Sequence, residues 1–168
     1  MKRKTFLHSL LPVLGGLSVI PGILTAQDKT APPGLPPGLV KDFVIAGHGN
    51  LDKVKQLLAE TPNLLYATWD WGAGDFETAI EGAGHVGNKE IANYLVEHGA
   101  RTNLFVLTML GKTDIVKSFI EAYPTFLEAR GPHGFTFLHH AQRGGDEAKE
   151  LVDYFTNKGL KETRYKLY

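Results

Sequence analysis

Residues 136–159 read TFLHHAQRGGDEAKELVDYFTNKG, and this stretch decides the fold. Thr136 stands before a short apolar run, Phe137, Leu138 and Ala141, that fits two turns of helix. Gly145 interrupts the run. Leu151, Val152, Tyr154 and Phe155 then recur at the 3.6-residue period until Gly159 ends the segment. A threonine ahead of a first turn accepts hydrogen bonds from its free N–H groups, and a glycine admits the left-handed backbone of a tight turn. The unit is a short helix, a glycine turn, a longer helix and a breaker.

The same unit recurs upstream. Apolar stripes formed by Leu51, Val54, Leu57 and Leu58, by Ile91, Tyr94 and Leu95, and by Ile115, Val116, Phe119 and Ile120 follow Gly49, Gly87 and Gly111. Short helices are predicted over 40–47, 77–85, 102–109 and 136–143. Pro62, Gly99, Pro124 and Gly159 end the long ones. Asn50, Asn88, Thr113 and Asp146 are the helix-start residues. Pro62–Ala67 and Pro124–Ala129 also match each other. A helix pair of this size has an apolar face it cannot bury alone, so stacking pairs is what builds a core. Gly87 and Gly111 are expected to tolerate a β-branched residue only at a cost of about 1 kcal/mol or more.

These motifs resemble the ankyrin repeat family. Thr136-Phe137-Leu138-His139-His140-Ala141 is similar to the family's opening motif. Thr78-Ala79-Ile80-Glu81-Gly82-Ala83 and Thr102-Asn103-Leu104-Phe105 are partial forms, and Val40-Lys41-Asp42-Phe43 is a degraded one. Ile91–Ala100 and Asp114–Ile120 resemble its second helix. No repeat carries the family's proline. Only Ala100 and Arg101 join the second and third repeats, so the usual hairpin finger is absent there. The resemblance implies an all-α, ankyrin-type solenoid of four irregular helix-turn-helix repeats over residues 39–160. It further implies a concave, protein-binding face lined by fingers and short helices. Small bacterial exported ankyrin-like proteins are similar in detail, and that likeness carries no activity.

Lys2, Arg3 and Lys4 precede an apolar run from Leu10 to Ile23, and Leu24-Thr25-Ala26 follows. Basic start, apolar middle and small residue form the order of a secretory signal over residues 1–26. Its glycines and proline make it a poor membrane span, so no stable insertion is expected after cleavage. Residues 27–38 hold Pro32, Pro33, Pro36 and Pro37, which reads as a stiff tether. The tail 161–168 is predicted to extend or cap the last helix, or to fray. The chain has no cysteine, which excludes disulfides, thiolate metal sites and thiol catalysis. Lys+Arg and Asp+Glu are both 18, and removing the signal leaves an excess of acid, so nucleic acid is not an expected partner.

The most unusual segment is 66–77. Trp69 and Trp71 stand among Asp70, Asp75 and Glu77, with Tyr66 and Phe76 alongside. Two readings are open: an exposed recognition patch, or aromatic rings folded back to plug an irregular repeat junction. Gly72-Ala73-Gly74 reads as a flexible finger. A groove bounded by this finger and the 130–135 loop would add Glu81, His85, Arg130, His133 and His140 to a binding face. Glu81, on the inner side of a short helix, would need Arg101 or Lys112 as partner, or a raised pKa. A metal site of His85, His133 and His140 with Asp75 or Glu81 is conceivable, and His48 faces the same side. No histidine pair has HExxH or facial-triad spacing, and His139 at the motif position has a structural role. The sequence therefore predicts no metal and no cofactor. No nucleophile elbow, phosphate loop or dinucleotide fingerprint is present, which points away from an enzyme. The expected function is binding of an exported or envelope protein partner; the alternatives are an accessory structural envelope protein and a metal-dependent enzyme on the repeat frame.

Overall fold

The computed structural model describes residues 32–167; the predicted signal over 1–26 lies outside them. Among the described residues there are eight α-helices and one two-stranded sheet, so the protein is mostly helical. The helices are α1 (Pro37–Gly47), α2 (Leu51–Glu60), α3 (Ala79–Val86), α4 (Lys89–Glu97), α5 (Leu104–Met109), α6 (Thr113–Ala122), α7 (Phe137–Arg143) and α8 (Lys149–Asn157). They pack as pairs, α1 with α2, α3 with α4, α5 with α6 and α7 with α8. The short helices also form a row, α1 against α3, α3 against α5, and α5 against α7, while α3 touches α7 directly. None of these helices is long and apolar enough to cross a membrane.

Local chemistry explains the boundaries. The side chains of Asn50, Thr78, Asn88, Asn103 and Thr136 each accept a backbone N–H at a helix start. Thr78 and Glu81 close a full capping box on α3. Thr113 was expected to start α6, but it is the first helical residue, and Lys112 before it makes no side-chain cap. Helix α1 starts at Pro37, inside the predicted tether, because proline at a first turn lacks only an N–H that would have no partner. Both copies of the Pro62–Ala67 and Pro124–Ala129 motif form a 3-10 turn. Gly87 and Gly111 are left-handed, with φ of 84° and 65°. Gly49 is not among the positive-φ glycines, so the first turn closes without one.

Two apolar clusters hold the pairs together. One gathers Phe43, Val54, Leu57, Leu64, Ile80, Ile91 and Leu95 with Val106 and Met109 from α5. The other gathers Phe105, Val116, Ile120, Phe137, Leu151 and Phe155. His140 is buried beside the second cluster, its Nδ1–H donating to the Thr136 carbonyl at 2.8 Å. Burial drives its pKa down to about 3 from 6.5. The unfolded chain takes up this proton near pH 6.5, whereas the fold resists it until about pH 3. The stability this group confers is complete above pH 6.5 and lost progressively as the pH falls toward 3. In the metal-free protein, acid unfolding is therefore expected to be steeper than in His140→Asn, whose amide keeps the donor. The excess slope is up to about 1.4 kcal/mol per pH unit. Equal slopes in urea titrations across pH 3–6.5 would show that His140 does not control acid stability.

The segment read as a flexible finger is a β-hairpin. Strand β1 (Thr68–Asp70) pairs antiparallel with β2 (Phe76–Thr78), with Trp69 opposite Glu77. The Asp70 carboxylate accepts the Gly72 N–H at 2.8 Å and braces the turn. Glu77 therefore lies in a strand, not at the start of a helix as predicted. The C-terminal tail is not a helix extension either. It runs back across the loop before α7, with the Thr136 N–H on the Thr163 carbonyl and the Tyr165 N–H on the Gly134 carbonyl. Those bonds satisfy the loop's backbone and hold its shape.

Candidate metal centre

The hairpin's alternation decides which residues turn inward. Successive strand residues point to opposite faces. Thr68, Asp70 and Phe76 are exposed, while Trp69 packs on the first apolar cluster and Asp75 and Glu77 are buried. The Trp71 indole N–H donates to Glu77 Oε2 at 2.8 Å. Both tryptophans are half-buried, and Lys41 lies over both rings.

Glu77 has no exposed surface, and three histidines surround it. His48, just after α1, places Nε2 at 3.5 Å from Oε2, and His85 of α3 places Nε2 at 3.0 Å from Oε1. His133, from the 131–135 loop, places Nε2 at 3.5 Å from Oε2. His48 Nε2 and His85 Nε2 are 2.9 Å apart. One ligand atom from each of the four residues fits within 4.8 Å of all the others.

The hydrogen bonds fix which nitrogens carry protons. His48 Nδ1 must donate to the Val44 carbonyl, at 3.0 Å. His133 Nδ1 lies 2.7 Å from Asp75 Oδ2, and an ionised carboxylate only accepts, so this nitrogen also donates. In the neutral rings, Nε2 of His48 and of His133 is then an acceptor aimed at a carboxylate. Glu77 Oε1 is buried, with His85 Nε2 3.0 Å away. His85 Nε2–H can serve one of these acceptors, and a cation among the groups would serve them all. A proton can serve: the Glu77 hydrogen bond raises the pKa of His48 against the opposing effect of burial. Burial pushes Glu77 up, but hydrogen bonds from His48 and His85 and their charges bring it down to about 2.

A metal ion is a second candidate. Tetrahedral bonds of 2.0–2.1 Å separate neighbouring ligand atoms by about 3.3 Å; four of the contacts here, made with both Glu77 oxygens, run from 2.9 to 3.5 Å, and the whole set fits within 4.8 Å. Three imidazoles and one carboxylate suit zinc and its neighbours, whereas calcium and magnesium take oxygen sets. The Val44 carbonyl, Asp75 and Trp71 supply the outer hydrogen bonds that orient such ligands.

The conceivable site of the sequence reading is thereby redrawn. His85 and His133 belong to it, but His48 and Glu77 stand where His140 and Glu81 were named. His140 faces the core instead. Glu81 accepts from Asn103 Nδ2 at 2.6 Å and from the Thr78 backbone N–H at 2.8 Å, not from Arg101 or Lys112, and burial raises its pKa. Arg101 lies over the Tyr66 ring. Asp75 is held behind His133, and Asp70 ends β1 and braces the hairpin turn. Arg130 is exposed, bonded to the Lys166 carbonyl at 3.3 Å. His139 donates to the His85 carbonyl at 2.8 Å, a bond that ties α7 to α3. Glu77 was missed as a ligand because it was placed on a helix. The alternation of Asp75 and Glu77, matching that of Trp69 and Trp71, was the available signal.

No family model matches the chain. Over 135 residues it is 31% identical to Alpha-latrocrustotoxin-Lt1a of Latrodectus tredecimguttatus. That match covers 75% of this chain but only 9% of the spider protein, so the chain spans a small fraction of its relative's length.

Proposed function

We propose that this chain is an ankyrin-type repeat scaffold that binds one zinc-class divalent ion through His48, Glu77, His85 and His133. The observation that carries the reading is the buried Glu77 carboxylate among three imidazoles, with Nε2 of His48 and of His133 turned to it because their Nδ1 atoms already donate. Four protein ligands make a closed set, which suits an ion that organises structure. The four-pair stack and the row of short helices support the ankyrin-type frame. Holding a protein partner is the use such a frame supports. A groove of about 380 Å³ lies between the hairpin and the 130–132 loop, with Phe76 and Phe126 exposed on its sides. Export by the order of residues 1–26 belongs to the same reading.

The test is titration of purified, chelator-treated protein with Co²⁺ and Zn²⁺. The expected result is one ion per chain, with the visible absorption of tetrahedral Co²⁺. Glu77→Gln removes the only anionic ligand. Its affinity is expected to fall by more than the roughly 10–100-fold that follows loss of an outer partner. Absence of binding at micromolar ion concentrations would sink the reading and leave the cluster as a carboxylate paired with a protonated imidazole.

A further inference from the structure

The four proposed ligands are not held alike. His48 caps the end of α1, and Glu77 and His85 sit on β2 and α3; these three elements pack directly on one another. His133 comes from a loop and has φ 59°, ψ 13°, a left-handed conformation that costs a non-glycine residue free energy. Something must hold it there. Asp75 meets it twice: Oδ1 accepts the His133 backbone N–H at 2.8 Å, and Oδ2 accepts Nδ1–H at 2.7 Å. Asp75 is only 6% exposed.

We propose that Asp75 is the positioning residue of this centre, fixing both the left-handed turn of His133 and the tautomer that leaves its Nε2 free to bind an ion. The proposal rests on the metal-binding reading. An ionised carboxylate is the one side chain of this length that accepts on both oxygens. Asparagine has one acceptor and one donor. If its oxygen keeps the backbone N–H, its NH₂ faces Nδ1. Nδ1 must then accept, the ring proton moves to Nε2, and that nitrogen points an N–H at Glu77 instead of a lone pair. Arg164 Nε donates to the His133 carbonyl at 2.8 Å, so the loop retains a second anchor when Asp75 is changed. The substitution therefore alters the ring more than the chain path.

Two measurements separate this proposal from the one beneath it. Nitrogen-15 NMR of metal-free protein reads the His133 tautomer directly. The wild type is expected to carry its proton on Nδ1, and Asp75→Asn on Nε2. Co²⁺ titration is then expected to show Asp75→Asn binding about 10–100-fold more weakly. Its visible spectrum should match that of His133→Ala, with one protein ligand fewer. A wild-type His133 protonated on Nε2 overturns the assignment without any variant. So does an Asp75→Asn protein with wild-type affinity and spectrum. If wild type binds no ion while the NMR result stands, the metal reading fails and the tautomer control by Asp75 survives.

Discussion

Zinc added to the chelator-treated protein is expected to raise its melting temperature by roughly 10 °C. An ion that binds only the folded chain, free at about 100 times its Kd, adds about 2.7 kcal/mol of stability. A domain of this length moves by about 3–4 °C per kcal/mol. The gain falls on the folded state because the ligands come from α1, β2, α3 and the 131–135 loop, which the unfolded chain does not bring together. Chelator should reverse the shift. Calcium and magnesium should not reproduce it, since three of the four ligands are imidazoles. In Glu77→Gln the shift should largely vanish. Scanning calorimetry with and without zinc decides the matter, and an unchanged wild-type midpoint would count against the centre.

Gly111→Val is expected to be strongly destabilising although it lies outside that centre. Its φ of 65° is the left-handed region, where a β-branched residue is strained by about 1–2 kcal/mol. Packing makes it worse. A Cβ there would lie 2.4 Å from the Glu147 carbonyl oxygen, which belongs to the backbone of the fourth pair and has no side-chain freedom. Overpacking of this kind adds about 1–3 kcal/mol. The total of about 3 kcal/mol lowers the melting temperature by roughly 10 °C. Gly99→Val is the control. Its φ is 87°, but nothing lies within 4 Å of its Cβ position, so it should lose only the strain. Equal losses in the two variants would show that the contact with Glu147 does not matter.

The helices were legible because their signals are local. Period-3.6 stripes, caps such as Asn50 and Asn88, and breakers such as Pro62 placed most boundaries within a few residues. The hairpin was less legible: its strands are three residues each, too short for alternation to stand out beside two glycines. The centre was least legible. Its residues lie 29, 8 and 48 positions apart, so no spacing rule links them. His140 and Glu81 were equally good candidates by sequence. Only the direction of each side chain, inward to Phe105 or across to Asn103, removes them. The tail was misread because its partner is a loop rather than a helix.

The third helix pair contributes no residue to the cluster around Glu77. The first pair, the hairpin and the second pair supply three of its side chains, and the loop entering the fourth pair reaches past α5 to supply the last. An open array of repeats can gain or lose a unit by duplication or deletion and remain an array. Here an added or missing unit between α4 and α7 would carry His133 away from Asp75. The contact between them fixes how much chain can lie between the hairpin and the 131–135 loop.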